Sequence, residues 1–374
     1  MQSSHWPRLA SLCTTVGAIC VQSLPAQQTE SPPADTPRVA VSGVVFANYQ
    51  YHLRPRGSAN RFDLERAYLT ARGPLGSRTS FRVTTDVFQQ TRDTVNRSWT
   101  VRAKYAYLQY DYLRNAFARL GLLQTVFIEH DESFWPRWIS TTPTDRHGFF
   151  SSADAGIATN ITLPANTGEI YATITNGPGF GSREIDRFKD YAARLTLAPF
   201  VHTGLGIIRP LTVSLWGYKG ALASRFVQGG AGQIGPVGES LRRDRWGVFA
   251  ALDHAALTAA VQHARRIEEG ELGSNTTLDP RRVVDSTGSI TAVYAIARPF
   301  SARAVLQAFS VVGRWDHVTA NRATGSDFDL VIAGLIWDLS SRVSISLDFQ
   351  GQYPDEVSVA PEARTVFLHG VARF

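Results

Sequence analysis

Apolar and polar residues alternate one by one along most of this chain from Val39 onward, most plainly after Trp99. There Val101, Ala103, Tyr105 and Tyr107 hold the odd positions, and Arg102, Lys104 and Ala106 the even ones. Side chains on a strand point to opposite faces in turn, so this spacing predicts a strand with one apolar face and one cationic face. Arg114 and Asn115 read as a tight turn, after which Ala118, Leu120 and Leu122 oppose Phe117, Arg119 and Gly121. A long stretch with no apolar period follows, through Gly148. The unit is strand, short turn, strand, long loop, and the long loop is expected to fold inward.

The unit recurs. Strands are expected at 39–51, 61–72, 79–90, 99–113 and from Ala116, then at 155–163, 169–176, 191–198, 204–219, 244–253, 257–268, 288–297, 302–317, 327–337, 342–353 and 364–374, which makes 16 segments. Most are long enough to cross a bilayer at a tilt, for which about 9–11 residues suffice. The connections alternate long and short almost throughout, with turns such as GPLGS, PANTG and DLSS on one side. This parity predicts an all-β fold over residues 38–374: a 16-stranded antiparallel transmembrane β-barrel with short periplasmic turns and long extracellular loops. Tyr105, Tyr107, Tyr110 and Tyr112 near a short turn, with Trp99 at the opposite end, are expected to form interfacial girdles. The last segment sets Val366, Leu368, Gly370 and Ala372 on one face and ends on Phe374, like the closing strand of bacterial outer-membrane proteins.

Composition adds bounds. After the N-terminal segment no run of about 18 apolar residues exists, so the chain offers no transmembrane helix there. Residues 1–26 read as a secretory signal peptide, with Arg8, the run Leu9–Val21, and Leu24-Pro25-Ala26 before the expected cut. Both cysteines, Cys13 and Cys20, fall inside it, which leaves an exported chain with no disulfide. Ile19 is a poor neighbour for lipid attachment at Cys20. Residues 27–37, rich in proline, read as a disordered spacer. Of 38 basic residues only Lys104, Lys189 and Lys219 are lysines. Planar guanidinium forks suit anions, but a GC-rich codon preference gives the same excess, so placement has to decide.

A barrel of 16 strands is too wide for its side chains to fill and encloses water. The inward cations expected from the alternation are Arg66, Arg72, Arg82, Arg102, Lys104, Arg119, Arg194, Arg303 and Arg342, against fewer carboxylates such as Asp86 and Asp348. Neighbouring strands lie about 4.8 Å apart, so the cations between Arg61 and Leu123 form a patch on one wall. Such a wall attracts anions through bidentate hydrogen bonds, or sets up a transverse field with acidic loop residues opposite. The loop Ile128–Gly148 supplies Arg137, Arg146 and His147, with Glu129, Asp131, Glu132 and Asp145. The expected pore-lining and anion-contact residues are Arg66, Arg82, Arg102, Lys104, Arg119, Arg137, Arg146 and Arg194. Glu129-His130-Asp131-Glu132 is read as a solvated acidic run rather than a metal site, and Phe134, Trp135 and Trp138 as pins holding the loop to the wall. No GxSxG, HExxH or glycine-rich phosphate loop occurs, so no enzyme and no cofactor is expected. Period-two alternation over many strands also explains the basic patches without nucleic acid as a partner.

The stretches RFDLERAYLTARGPLGSRTSFRVTTDV, YAYLQYDYL with RNAFARLGLLQTVF, DRHGFFSSADAGIATNITL and ATITNGPGF resemble the phosphate-selective porin family, porins O and P. Arg66 before the first short turn, Phe81 to Asp86 after it, Arg119-Leu120-Gly121 and Asn176-Gly177 carry the resemblance. It implies a homotrimeric porin in outer-membrane lipid whose constriction is lined by arginine and lysine. Such a channel would pass small solutes passively and favour anions such as phosphate. The alternatives are a barrel that captures a sugar or a partner without conducting, and a barrel hydrolase.

Overall fold

A computed structural model describes residues 38–89, 99–182, 184, 187–223, 240–271, 283–299, 308–322, 325–355, 358 and 360–374. The expected leader and spacer, 1–26 and 27–37, lie outside these residues. Sixteen strands follow in chain order: β1 (Ala40–Arg54), β2 (Arg61–Pro74), β3 (Thr79–Gln89), β4 (Trp99–Leu113), β5 (Ala116–Gln124), β6 (Ala153–Thr162), β7 (Gly168–Thr175) and β8 (Asp190–Leu197). The second half holds β9 (Leu211–Ala223), β10 (Ser240–His254), β11 (Leu257–Glu271), β12 (Val283–Ala297), β13 (Phe309–Thr319), β14 (Asp327–Asp338), β15 (Val343–Pro354) and β16 (Ala363–Arg373). Each pairs antiparallel with its chain neighbours, and β1 pairs with β16 from Val44↔Arg373 to Arg54↔Arg364, closing the sheet into a barrel. Phe374 extends the seam: its N–H donates to Gly43 O at 3.0 Å, and Gly43 N–H donates to Phe374 O at 2.8 Å.

The faces are inverted relative to a water-soluble domain. Leu108, Leu120, Ile157, Leu215, Val261 and Leu347 stand exposed outside, while Asn48, Thr84, Asp86, Gln262, Asp316 and Asp348 are buried inside. Inside is not uniformly polar, however. The β5–β6 connection enters the barrel, and its Phe127, Trp135 and Phe150 pack on Trp216 of β9, Phe249 of β10 and Tyr294 of β12. A dry core therefore fills the space between that loop and one wall.

Three expectations need correction. First, strict alternation fails on β4. Thr84 pairs with Tyr105 and Thr85 with Ala103, so Lys104 is an extra residue. A bulge of one residue moves every following side chain to the other face. Of the four expected girdle tyrosines, Tyr105 and Tyr107 consequently lie buried inside, beside Lys104, while Tyr110 is exposed outside with Leu108 and Tyr112 is half-buried against Thr159. A second bulge occurs on β2, where Phe46 pairs with Arg66 and Ala47 with Leu64, leaving Glu65 as the extra residue.

Second, β9 begins at Leu211, not near 204. Gly204 and Gly206 weaken a strand and Pro210 offers no ladder N–H, so residues 198–210 form turns. β13 begins at Phe309, and the expected strand start at Ala302 lies outside the described residues. The β8–β9 connection, residues 198–210, is therefore long where the alternation expects a short one. Third, β10, β11 and β12 run further than expected at their polar ends, with pairing out to Glu271↔Val283. Near the rim both faces meet water, so backbone pairing continues after the apolar period has stopped.

Gly121 on β5 has φ +131°, and a Cβ there would run into Ala106 O of β4. Gly217 on β9 has open space where its Cβ would stand. Gly121→Ala should cost about 1–3 kcal/mol of barrel stability, while Gly217→Ala stays within about 1 kcal/mol; denaturant titration of the refolded protein checks both.

Candidate functional site: the passage beside the inner loop

The inner loop is organised by two single turns of helix, α1 (Ile128–Asp131) and α2 (Pro143–Arg146). Pro143 begins α2 at a position where its missing N–H costs nothing. Successive residues of a helix point about 100° apart, and α1 uses this to reach different walls. Glu129 accepts from Arg82 of β3 at 3.1 Å. His130 Nε2 meets Ser214 Oγ of β9 at 3.0 Å. Asp131 accepts from the Tyr294 hydroxyl on β12 and from Gln262 Nε2 on β11, the latter at 3.1 Å. Glu132 turns back to Arg137. The four side chains diverge, so they neither converge on a cation nor form a solvated run. Trp135 packs on Tyr294 and Trp138 on His369 of β16, so both act as pins.

Three arginines of the wall hold the loop by one device. Each guanidinium binds a carboxylate near its own strand and donates to a loop carbonyl. Arg194 joins Glu169 to Val126 O at 2.8 Å. Arg245 joins Glu268 to Phe149 O. Arg314 joins Asp316 to Thr141 O at 2.6 Å. His147 adds a bond from the loop to Asp316 at 2.9 Å.

Two cavities flank the loop. One, of about 500 Å³, faces the long-connection end and is lined by Arg66, Arg102, Arg137 and Arg146 together with Glu65 and Asp145. The other, of about 380 Å³, lies toward the β4–β5 and β6–β7 turns and holds Arg119, Arg194, Glu129 and Glu169. Six of the eight expected contact residues thus line one cavity or the other. Arg82 bonds to the loop and stacks on Tyr105 at 4.5 Å. Lys104 lies buried, 4.6 Å from the Tyr68 ring centroid.

Their charges fall into two groups. Arg66 and Arg102 share Asp86 at 3.1 and 2.9 Å; the carboxylate is 1% exposed and each guanidinium 26%. Arg102 is further held between Phe88 and Phe180, at 3.9 and 4.1 Å. Arg82, Arg137 and Arg194 also have carboxylate partners. Among the described residues Lys104, Arg119 and Arg146 have none. Arg119 donates to Gln109 and Gln124, both at 2.9 Å, and stacks on Phe117 and Tyr107. Arg146 donates to Ser140 at 2.7 Å and Gln350 at 2.9 Å, and is exposed to the passage.

Strand alternation passed over several residues of the passage. Glu65 faces inward only because of the β2 bulge. Phe180 comes from the β7–β8 connection, which has no period to read. Asn48, Gln350 and His369 lie on the polar face that alternation already marks as inward, and only their lack of full charge hid them.

No protein-family model matches the chain, and no curated protein matches its sequence. Its fold is similar to solved bacterial outer-membrane channels. An anion-selective porin from Comamonas acidovorans aligns over 91% of this chain and 100% of its own, with TM-score 0.60 at 13% identity. The outer membrane channel DcaP of Acinetobacter baumannii aligns over 90% of this chain and 97% of its own, with TM-score 0.61 at 12% identity. OmpT of Vibrio cholerae, in its in-vitro folded trimer form, covers 91% of this chain and 100% of its own, with TM-score 0.54 at 10% identity. At these identities the likeness is one of fold: a porin-like closed barrel of 16 strands.

Within the loop, burial pushes Asp131 up to about 7, against the opposing pull of its bonds from Tyr294 and Gln262. Burial and Arg194 push His130 down to about 3, which keeps it neutral. Because the folded value of Asp131 lies above its unfolded one, its contribution is fully present below about pH 4 and is lost as pH rises through about 7. The loop should therefore grip β11 and β12 less firmly at pH 8 than at pH 5. Trp135 emission, isolated by subtracting a Trp135→Phe spectrum, should shift over that range in the wild type and stay flat in Asp131→Asn.

Proposed function

We propose that this chain forms a water-filled channel for passive diffusion of small solutes across an outer membrane, and that it favours anions such as phosphate. The inverted barrel carries the first part. An apolar outer face needs lipid, and a polar interior with cavities on both sides of one inward loop suits a narrow aqueous path. The anion preference rests on Arg119, Arg146 and the buried Lys104, none of which makes an ion pair among the described residues, and on Arg66 and Arg102, which cover the Asp86 they share. Guanidinium groups with free N–H edges replace part of an anion's hydration, best for tetrahedral oxyanions.

We also propose a homotrimer. Strands β5 to β8 have 9, 10, 8 and 8 residues, against 15 in each of β10, β11 and β12. At about 3.3 Å per residue and a tilt near 40°, eight residues reach roughly 20 Å, short of the ~25 Å apolar band of such barrels. An outward groove of about 710 Å³ on this low wall, lined by Leu108, Leu120, Ile157 and Ile174, suits the apolar surface of neighbouring copies. OmpT, which is similar in fold, has a trimer form, and this supports the reading.

In planar bilayers under a salt gradient, the reversal potential should favour chloride over potassium, and millimolar phosphate should interrupt the chloride current. Arg119→Gln and Arg146→Gln should each lower the anion ratio roughly two- to five-fold, since one charge across a wet site is worth about 0.5–1 kcal/mol. Asp86→Asn, which frees two arginines, should raise it. A cation preference in the wild type overturns the anion reading, and absence of any conductance step overturns the channel.

A further inference from the structure

We propose that the cavity at the long-connection end binds zwitterions: free amino acids or short peptides carrying both an ammonium and a carboxylate group. This goes beyond diffusion and follows from pairing up the charges that line one space.

Seven side chains with charge or titratable character line the cavity: Glu65, Arg66, Arg102, Arg137, Asp145, Arg146 and His369. Five are already engaged. Arg66 and Arg102 turn to Asp86, Arg137 and Asp145 turn to each other, and His369 Nε2 lies at ion-pair distance, 3.4 Å, from Asp348 without a hydrogen bond to it. Two are left over, and they are of opposite sign. Glu65 has only a long bond from Asn48 Nδ2 at 3.4 Å. Arg146 has only Ser140 and Gln350. Among the described residues neither has a counter-charge within ion-pair distance, and they do not reach each other.

Their separation is built in. Glu65 is turned inward by the β2 bulge, and bulges are a common means of re-aiming one side chain at a binding site. Arg146 is fixed on α2 by its two neutral bonds, which orient the guanidinium without neutralising it. Both are accessible from the cavity, Glu65 half-buried and Arg146 exposed. Asn48, Gln50, Gln350 and Ser140 also line it and offer amide and hydroxyl groups of the kind that peptide bonds prefer. At about 500 Å³ the space falls in the range of small-molecule sites. A simple anion would satisfy Arg146 and face Glu65 as a like charge. A zwitterion satisfies both at once.

The test is titration calorimetry of the full chain refolded in detergent, which needs no conduction. Diglycine carries both charges, N-acetylglycine only the carboxylate and glycinamide only the ammonium. Diglycine should bind about tenfold or more tighter than either, as one charge-assisted hydrogen bond permits. Glu65→Gln should bring diglycine to the level of N-acetylglycine while N-acetylglycine binding persists, which also shows the variant to be folded. Arg146→Gln should bring diglycine to the level of glycinamide. Equal affinities for the three compounds in the wild type, or no binding of diglycine, overturns the proposal. So does an undiminished diglycine advantage in Glu65→Gln. The wild-type series decides on its own if a variant fails to fold, and loss of conductance would sink the channel reading while leaving this result standing.

Discussion

The pairing of β1 with β16 is the constraint on which everything else in this molecule depends. Once that seam is made, every strand has two neighbours and the sheet has no edge left to satisfy. Backbone N–H and C=O groups then make no demand on their surroundings, which frees the outer face to be apolar and the interior to be polar. An open sheet of the same strands would need a partner at each edge. The inverted faces are therefore a consequence of closure, and the space inside follows from the strand number.

A space of that width cannot stay empty of structure if it is to discriminate among solutes. The chain fills part of it with the β5–β6 connection, whose backbone would otherwise be left without partners in the interior. Arg194, Arg245 and Arg314 solve this by serving a carboxylate and a loop carbonyl with one guanidinium. A lysine ammonium lacks the planar fork that allows two directed bonds at once with its charge still matched. Part of the arginine excess is thus structural, and the apolar side of the loop, packed on Trp216, Phe249 and Tyr294, completes the anchoring.

Much of this was legible in the residues, and the gaps have definite causes. Period two located all 16 strands, and it put Arg66, Arg82, Arg102, Lys104, Arg119 and Arg194 on the inner face where they lie. It misjudged Tyr105 and Tyr107 because a bulge changes face without changing residue type. It overran Gly204 to Pro210, where hydrophobic Leu205, Ile207 and Ile208 mimic a strand that Pro210 and the glycines cannot continue. The acidic run at Glu129 was misread for another reason. Its partners Arg82, Arg137, Gln262 and Tyr294 lie mostly far along the chain, and no local pattern encodes them.

Alternation also predicts inward charge without saying which charges are neutralised, and that distinction carries the chemistry. Asp86 lies beneath Arg66 and Arg102, so the trio presents its two guanidinium groups as one surface. The two bulges on β2 and β4 bear on the same point. Each inserts one residue that the hydrogen-bond ladder does not need, and each inserted residue is charged: Glu65 on β2 and Lys104 on β4. Neither has an ionic partner among the described residues. A residue in regular register has cross-strand neighbours on its own face, and Arg102 reaches Asp86 from such a position. An inserted residue has no matched neighbour opposite. The bulge on β2 thus turns Glu65 into a cavity without a counter-charge, while the one on β4 buries Lys104 against the Tyr68 ring.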